Sequence, residues 1–530
     1  ITEKDPLDIR QKVQEVIDQK GPLELESDMM TGFGFAILRS NPADKSLGKQ
    51  DFWMYFGRNT GHGHRDTLNL GISAFDLNMA PDLGYPEMTG VQPNRLQWVQ
   101  QTLSHNTVLV DGETQNQPFP NGKGGYPLHF DDSGIVKVMD VDAPKQFEKT
   151  ESYRRSLVMV EAEDKICYGV DFFRILGGQT HLYSFHSQSD EIDETEGLCL
   201  IPQQDENGNY VGSYAGPDVP YGPDPYSPQS WRYKTVYPRG YTWTHTVRRD
   251  QNKPSSFSVD FKVKDFNKVL SDPSGLHLRM TVLSDEPFDE VAVVKGHTPK
   301  KYQNINVPDL DYVFVKRTGS DLDTLFTVVF EPYRHRRILK SVEAADAVLI
   351  DGNIDPKDKV KAVKLTTAKC RTDYIVYSTN PGATYRVDNL FDFRGFIGVY
   401  AERDGKVLFK YVNDGDIIDG KIADKGAVTG KVTDFTKTLS DSNKIFIRPD
   451  SPNVDPMDLA GRFIYIDNDK EENGAYKIRS AKSNPDGSIE LDIGGVTLIR
   501  SFKGKSREEY VYNIRVNDTF RIPLAKLIKG

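Results

Sequence analysis

The 530-residue sequence has little of several features that would assign it to a specialised class of protein. It contains 3 cysteines, Cys167, Cys199 and Cys370, which lie far apart without C-x-x-C spacing. Neither a disulfide framework nor a cysteine zinc site is therefore indicated. No apolar run approaches the roughly 20 residues that a membrane-spanning helix needs. Lysine and arginine (67) are fewer than aspartate and glutamate (77), and the net charge of -10 argues against a nucleic-acid-binding protein.

Helical patterns are also scarce, because only the N-terminal segment predicts an amphipathic helix. Asp5 and Pro6 suit a helix N-cap and first position, and Gly21-Pro22 ends the pattern. The apolar residues of one face are Ile9, Val13, Val16 and Ile17. The sequence therefore predicts a short helix at the start of the chain.

Most of the remaining sequence has the pattern of strands and turns. Residues 276–282 and 489–493 alternate apolar and polar side chains, as half-buried strands do. Asp404-Gly405 and Asn473-Gly474 are each flanked by apolar runs, which is the signature of a hairpin. With 43 glycines and 30 prolines, these patterns predict a mainly β protein.

The predicted architecture is a large antiparallel β-sandwich followed by a second, smaller β domain, with a short N-terminal helix. The predicted divisions are a linker helix over 1–22, a central β-sandwich over 23–340 and a C-terminal β domain over 341–530, with a softer boundary near 428. Residues 202–240 are rich in proline, glycine, aspartate and tyrosine, and predict a long loop of the kind that is often functional. Trp231 and Trp243 lie in or just past this loop, where they either stack on a sugar ring or cover the edge of the core.

Three histidines lie close together in the sequence: His62 and His64 in the run Gly-His-Gly-His-Arg-Asp, and His105. A spacing of two places His62 and His64 on the same face of an extended segment. We expect a strand over 68–75, a reversal over 76–79 and a returning strand over 80–82, which brings Asp82 beside His64.

A further strand over 107–110 begins just after His105, so that His64, Asp82 and His105 can converge. Two imidazoles and a carboxylate suit Zn²⁺ with an open position, and Asp66 or Asn106 could form the second shell. The alternative is that the two nearby histidines are an ordinary hydrogen-bonded or solvent-facing pair.

Three motifs in this part of the chain resemble the heparinase II/III-like polysaccharide lyases. They are Phe56-Gly57 with Gly61-His62-Gly63-His64 and Asp66, then Pro81-Asp82 with Gly84-Tyr85-Pro86, then His105-Asn106-Thr107-Val108 with Val110-Asp111-Gly112. The resemblance implies an N-terminal α/α toroid packed on antiparallel β-sheet domains, with the active cleft between them. It also implies that His62 is catalytic and that His64, Asp82 and His105 bind a zinc ion that organises the cleft.

The toroid, which carries the family's catalytic tyrosine and its asparagine or histidine partner, has no counterpart in this sequence, and the N-terminal helix is where its last piece or the linker from it would lie. The chain is therefore expected to work with a missing toroid domain as a partner. Among the motif-linked residues, Tyr85 is the tyrosine that could act as acid or base, or line the cleft.

The resemblance implies a lyase that cleaves a uronate-containing polysaccharide by β-elimination. The substrate would be a glycosaminoglycan such as heparin or heparan sulfate, or an alginate-like polymer, and the location secreted or periplasmic in a bacterium. Candidate substrate contacts are Arg65, Trp98, Gln101, Trp231 and Trp243. Two alternatives stay open: a non-catalytic carbohydrate-binding β-sandwich with a structural zinc, and a zinc hydrolase, for which no general-base carboxylate is evident.

Overall fold

A single α-helix is present in the part of the chain that the computed structural model describes, namely residues 6–21, 25–40, 48–57, 63–84, 94–116, 124–163, 165–224, 236–299, 307–504 and 509–530. This helix, α1 (Pro6–Lys20), confirms the predicted N-terminal helix. Gly21 ends it with a φ of 76° and donates its N–H to the Ile17 carbonyl at 2.8 Å. The apolar face of α1 is exposed, because Ile9, Val13, Val16 and Ile17 are 41 to 56% accessible.

The remaining regular structure consists of strands. The first half of the chain contains β1 (Asp28–Met30), β2 (Phe35–Arg39), β3 (Asp51–Tyr55), β4 (Asn69–Ala74), β5 (Leu77–Ala80), β6 (Val108–Val110), β7 (Tyr126–Asp132), β8 (Val136–Asp142), β9 (Ser152–Glu161), β10 (Cys167–Leu176), β11 (Thr180–His186), β12 (Ile192–Glu196), β13 (Leu200–Pro202), β14 (Thr244–Asp250), β15 (Ser256–Lys262), β16 (Leu276–Leu283), β17 (Glu290–Gly296), β18 (Leu310–Thr318) and β19 (Asp323–Arg334). The second half contains β20 (Leu339–Ala345), β21 (Ala347–Asp351), β22 (Val360–Thr367), β23 (Thr372–Ser378), β24 (Thr384–Val387), β25 (Phe391–Arg394), β26 (Ile397–Arg403), β27 (Lys406–Asn413), β28 (Ile417–Ile418), β29 (Ala427–Phe435), β30 (Asn443–Pro449), β31 (Phe463–Ile466), β32 (Ala475–Lys477), β33 (Ser480–Ser483), β34 (Ile489–Gly494), β35 (Ile499–Lys503), β36 (Glu509–Tyr512), β37 (Thr519–Pro523) and β38 (Ala525–Lys529).

These strands pair antiparallel in several sheets. Sheet I has the order β1-β2-β3-β4-β5, sheet II the order β12-β15-β16-β19-β10-β9-β8-β7, and sheet III the order β13-β14-β17-β18-β11-β6. Sheet IV has the order β20-β22-β23-β26-β27-β38, sheet V the order β21-β24-β25-β28, and sheet VI the order β32-β31-β37-β29-β30-β34-β33. The predicted mainly β fold, with antiparallel sheets throughout, is confirmed.

Sheets I to V share a layered core. One apolar cluster joins side chains of sheet I, sheet II and sheet III, including Phe52, Phe173 and Val313. The other face of sheet II packs against sheet IV through a second cluster, in which Phe172 stacks on Tyr377 at 4.9 Å between ring centroids. Sheet IV in turn packs against sheet V. Phe172 and Phe173 are neighbours on β10, so alternate side chains of this strand enter two different cores.

Two predicted turns differ from those observed. The reversal between β4 and β5 is made by Phe75 and Asp76, with φ values of 54° and 59°, and not by residues 76–79. The returning strand accordingly occupies residues 77–80. The Asn473-Gly474 pair lies at the end of an eight-residue connection between β31 and β32 rather than in a two-residue turn.

The predicted hairpin at Asp404-Gly405 joins β26 to β27 with positive φ at both residues. The domain divisions at 22 and 340 stay predictions. Among the described residues, no helix has both the length and the apolar character that a membrane crossing requires.

Candidate metal centre

His64, Asp82 and His105 come from three separate segments that meet at the junction of sheet I with the edge of sheet III. His64 lies between β3 and β4, and Asp82 follows the end of β5 by two residues. His105 follows the 3₁₀ turn Thr102–Ser104 and precedes β6. The hairpin of β4 and β5 therefore returns the chain to the neighbourhood of His64, as the sequence predicts.

Backbone contacts hold the segment of His64 against the segment that leads to His105. The Arg65 N–H donates to the Gln100 carbonyl at 3.1 Å, and the Arg65 carbonyl accepts the Thr102 hydroxyl at 2.9 Å. The Gln100 side chain donates to the Gly63 carbonyl at 3.3 Å. These bonds on both sides of His64 fix its position relative to His105.

Two buried amides fix the other side of the centre. Asn106 donates to the carbonyls of Leu70 at 3.1 Å and His186 at 3.3 Å, and its own side-chain oxygen accepts the His186 N–H at 2.8 Å. Gln115 bonds both the N–H and the carbonyl of Thr67 at 2.8 Å. Asn106 therefore ties sheet I to sheet III through backbone groups, directly beside His105.

The three predicted metal ligands are in contact through their side chains. Nδ1 of His105 lies 3.0 Å from Oδ2 of Asp82, and Nδ1 of His64 lies 3.6 Å from Oδ1 of the same carboxylate. The two imidazole rings are 5.1 Å apart between centroids. His105 is fully buried and His64 is 7% exposed. The Asp82 Oδ1 atom also accepts the Gly84 N–H at 2.7 Å, which orients the carboxylate.

Asp66, which the sequence suggests as a second-shell residue, belongs to the same cluster. One ligand atom from each of His64, Asp66, Asp82 and His105 lies within 4.8 Å of the others. Oδ1 of Asp66 is buried and makes no hydrogen bond within the described ranges. Asp66 could therefore be a direct ligand as well as a neighbour of the ligands.

The electrostatics of the cluster are those of a buried ion-binding site. Burial raises the pKa of Asp66, and the nearby Asp82 carboxylate adds to the effect against the opposing charges of the histidines. Burial also disfavours ionisation of Asp82, but His105 and His64 together hold its pKa well below the ordinary value. Burial opposes the charging of His105, and the Asp82 carboxylate overcomes this and raises its pKa. The carboxylates thus attract positive charge in a region that is largely, though not fully, buried.

This donor set fits Zn²⁺, which proteins bind through imidazole nitrogens and carboxylate oxygens. Oδ2 of Asp82 and both ring nitrogens of His105 are buried, and none of them has a well-aligned hydrogen bond to a described residue. Buried polar atoms of native proteins nearly always have a partner, so these atoms indicate a missing one. His64, Asp82 and His105, with Asp66 beside them, could together hold the ion.

Arg155 bonds the backbone beside the candidate metal centre. It is not among the site residues that the sequence predicts. Its guanidinium is fully buried and makes a bidentate pair with Asp171 at 2.9 and 2.7 Å. The remaining nitrogen donates to the carbonyls of Leu68 at 2.7 Å and Asn106 at 2.6 Å. Arg155 therefore holds the chain just after His64 and just after His105.

Of the other predicted site residues, some lie outside the described part of the chain and others are buried. His62, Tyr85 and Trp231 lie outside the described residues. Trp98 is fully buried and donates its indole N–H to the His297 carbonyl at 2.6 Å, and Gln101 is 2% exposed. These two residues offer no surface to a sugar, because both side chains are buried within the segment that leads to His105.

Trp243 and Arg65 lie closer to the surface than Trp98 does. Trp243 is 7% exposed and belongs to the same apolar cluster as Trp98, which favours the alternative that it covers the core. Arg65 is partly buried directly after His64. The contact between Arg65 and a substrate stays a prediction.

The part of the chain that contains this centre matches the sequence model of a known protein family. Residues 34–259 match the family model described as heparinase II/III-like, C-terminal. We call residues 34–259 the heparinase II/III-like region; the match covers less than half of the chain. The heparinase II/III-like region contains all four residues of the candidate metal centre, and the resemblance inferred from the three motifs is confirmed.

Solved structures of larger proteins resemble the chain at low sequence identity. The heparan sulfate lyase HepC from Pedobacter heparinus is 13% identical with a TM-score of 0.44, over 70% of this chain and 46% of that protein. The heparinase III BT4657 gene product is 13% identical with a TM-score of 0.45, over 69% of this chain and 45% of that protein. A further heparinase III is 11% identical with a TM-score of 0.41, over 67% of this chain and 42% of that protein. The chain thus spans less than half the length of each of these structures. No curated protein matches the chain significantly.

Proposed function

We propose that this protein is a polysaccharide lyase that cleaves a uronate-containing polysaccharide by β-elimination. The observation that carries the proposal is the buried group of His64, Asp82 and His105 within the heparinase II/III-like region. A glycosaminoglycan such as heparin or heparan sulfate, or an alginate-like polymer, is the proposed substrate. A secreted or periplasmic location follows from the size of such a substrate.

In the proposed reaction, a base removes the proton at C5 of the uronate. The electron pair forms the double bond between C4 and C5, the C4–O bond breaks, and an acid protonates the departing glycosidic oxygen. Negative charge grows on the uronate carboxylate as the proton leaves, so fixed positive charge and hydrogen-bond donors near that carboxylate lower the barrier.

The proposed roles of the chain's own residues follow from this scheme. His62 would transfer a proton or polarise the carboxylate, since an unperturbed imidazole titrates near neutral pH. Tyr85 would act as acid or base, or line the cleft. His64, Asp82 and His105 would hold the metal, and Asp66 would ligate it or orient its ligands. When bound, Zn²⁺ would supply a fixed positive charge that orders the floor of the cleft.

We further propose that an α/α toroid domain cooperates with this chain. The family resemblance implies that such a domain carries a catalytic tyrosine and an asparagine or histidine. With this partner the cleft would lie between the toroid and sheet I, and the acidic polysaccharide would bind there.

The test is the ultraviolet absorbance of an unsaturated uronate when the full-length protein is incubated with heparan sulfate, other glycosaminoglycans or alginate. We expect product from the wild type, and at least a hundredfold slower formation from His62→Ala, because removal of a general acid or base typically costs about 10²- to 10⁴-fold. His181→Gln is the matched control, because His181 is a buried histidine on β11 that bonds Thr324 and Gly177 and none of the candidate ligands. No product on any uronate polymer would refute the lyase proposal. Binding without cleavage, unaffected by His62→Ala, would instead indicate a carbohydrate-binding sandwich.

A further inference from the structure

The end of strand β11 contacts the segments that carry two of the candidate metal ligands. Its last residue, His186, is fully buried, and the buried Ser187 and Gln188 follow it. On one side these residues bond the chain that leads to Asp82, and on the other side the strand bonds the chain around His105. The end of β11 therefore lies where it can set the distance between the two ligands.

Three hydrogen bonds hold the end of β5, just before the carboxylate ligand of the centre. Nε2 of His186 lies 2.8 Å from the Pro81 carbonyl oxygen. A carbonyl oxygen only accepts, so the imidazole carries a proton on Nε2 and donates it to Pro81. The Met79 carbonyl accepts both the Ser187 hydroxyl at 2.7 Å and the Gln188 N–H at 2.8 Å. These bonds fix the backbone that leads into the ligand.

The same strand holds the segment that carries His105. The Ser184 hydroxyl donates to the Leu103 carbonyl at 2.8 Å, and the Ser184 N–H donates to the Thr107 carbonyl at 2.9 Å. The N–H of His186 adds the bond to the side chain of the residue after His105. The backbone is thereby fixed on both sides of this ligand.

Tyr312 of β18 joins the two sides. Its ring stacks on the His186 imidazole, with 4.5 Å between the ring centroids and 26° between the ring planes. Its hydroxyl donates to the Ser104 carbonyl at 3.1 Å, directly before His105. Both members of the stacked pair are fully buried. The pair therefore donates one hydrogen bond to the residue before each of the two ligands.

We propose that His186 and Tyr312 are positioning residues of the metal centre, which set the distance between Asp82 and His105 and thereby the affinity for Zn²⁺. The identity of the metal rests on the proposed function. Both residues act on the ligands through the neighbouring carbonyls. Ligands that are already held at the distance an ion needs lose less freedom when it binds, so this support raises the affinity.

The test is the dissociation constant for Zn²⁺, measured by competition with a chromogenic chelator, with the zinc bound by His105→Ala subtracted as background. Tyr312→Phe removes one hydroxyl and keeps the stacked ring, and His186→Phe removes the donor to Pro81 and keeps a ring. Each should bind Zn²⁺ about tenfold more weakly, as expected when a hydrogen bond that supports a metal ligand is lost. His186→Gln should recover part of the affinity, because it keeps an N–H donor on a side chain of similar length.

Two buried residues provide matched controls. Tyr168→Phe removes a hydroxyl that donates to Asp373 at 2.7 Å, and His181→Phe replaces a buried histidine of the same strand β11. Both controls should change the affinity for Zn²⁺ less than about twofold, as expected for sites without a shared partner. Unfolding temperatures in chelator measure the stability of each variant without metal. Tyr312→Phe decides the question if His186→Phe does not fold.

The outcomes separate the positioning role from the proposed function. Wild-type affinity in folded Tyr312→Phe or His186→Phe, an equal loss in the two controls, or a wild type that binds no Zn²⁺ would overturn the positioning role. Weaker binding in the two variants alone, together with no lyase product, would preserve the positioning role and refute the lyase proposal. Wild-type affinity in both variants, together with lyase product, would do the reverse.

Discussion

Nδ1 of His105 lies 3.0 Å from Oδ2 of Asp82, although Asp82 follows β5 and His105 follows a 3₁₀ turn in a later part of the chain. The contact is too poorly aligned to satisfy either atom by a hydrogen bond, and both atoms are buried. An ion between them would satisfy both atoms, and His64 lies beside the same carboxylate.

Removal of bound metal should destabilise the protein. A ligand present at a hundred times its dissociation constant stabilises the folded state by about 2.7 kcal/mol, so a chelator should lower the unfolding temperature of the zinc-loaded wild type by several degrees. His105→Ala should show the same unfolding temperature with and without chelator. The measurement is calorimetric unfolding in zinc and in chelator. Equal unfolding temperatures for the wild type under both conditions would contradict the prediction.

Arg155→Met should be strongly destabilising. The substitution leaves the Asp171 carboxylate buried without its partner and releases the carbonyls of Leu68 and Asn106. Breaking a buried pair in this way costs about 3 to 5 kcal/mol, and urea unfolding measures it. The double variant Arg155→Met with Asp171→Leu removes the orphaned charge and should recover part of the loss. A change below about 1 kcal/mol in the single variant would show that Arg155 does not support the centre.

Gly71→Ala should destabilise sheet I without touching the metal centre. A Cβ atom at Gly71 would clash with the Trp53 indole on the paired strand β3. Overpacking of this kind costs about 1 to 3 kcal/mol in the free energy of unfolding. Ser73→Ala, two residues along β4 on the same face, is the control and should change stability by less than about 0.5 kcal/mol. Equal stability of the two variants would contradict the close packing of Gly71 on Trp53.

The stability of the protein should fall in acid partly because of Asp140. Burial disfavours its ionisation, but Arg154 and His129 hold its pKa far below the ordinary value of about 3.9. A carboxyl with a lowered pKa contributes stability at pH values above its unfolded pKa, and this contribution is lost as the pH falls toward the folded value. Urea midpoints between about pH 5 and pH 3 should therefore drop less for Asp140→Asn than for the wild type.

Asp140→Asn should also be less stable than the wild type at neutral pH, since it removes the partner of Arg154. The exposed Asp193→Asn serves as the control and should follow the wild-type curve. Parallel pH curves for the wild type and Asp140→Asn would show that this carboxylate does not stabilise the fold.

The sequence predicts the local elements better than their assembly. Helix α1 and the hairpin at Asp404-Gly405 depend on short-range patterns, which the residues themselves display. The convergence of His64, Asp82 and His105 is predicted from the expected hairpin that returns the chain and from the family motifs. The turn at Phe75 and Asp76 is missed because a bulky apolar residue rarely adopts positive φ. Here Phe75 does so while the residue is only 7% exposed and belongs to the core shared by sheets I to III.

Long-range packing accounts for the remaining differences. Trp98 and Gln101 look available in the sequence, but the carbonyl of His297 and the strands of sheet III enclose Trp98 from residues far along the chain. Arg155 is likewise recognisable only once distant segments are in contact. The layering of sheet II on sheet IV has no counterpart in any local pattern. Neighbouring residues of β10, such as Phe172 and Phe173, are both apolar, and the sequence does not show that each enters a different core.

The most direct test of the metal centre is anomalous X-ray scattering at the zinc edge from crystals grown with zinc. We expect a single strong peak at about 2.0 to 2.2 Å from ring nitrogens of His64 and His105 and from a carboxylate oxygen of Asp82, absent in His105→Ala crystals. A zinc peak elsewhere in the molecule, or none between these three side chains, would contradict the assignment of this cluster as the metal centre.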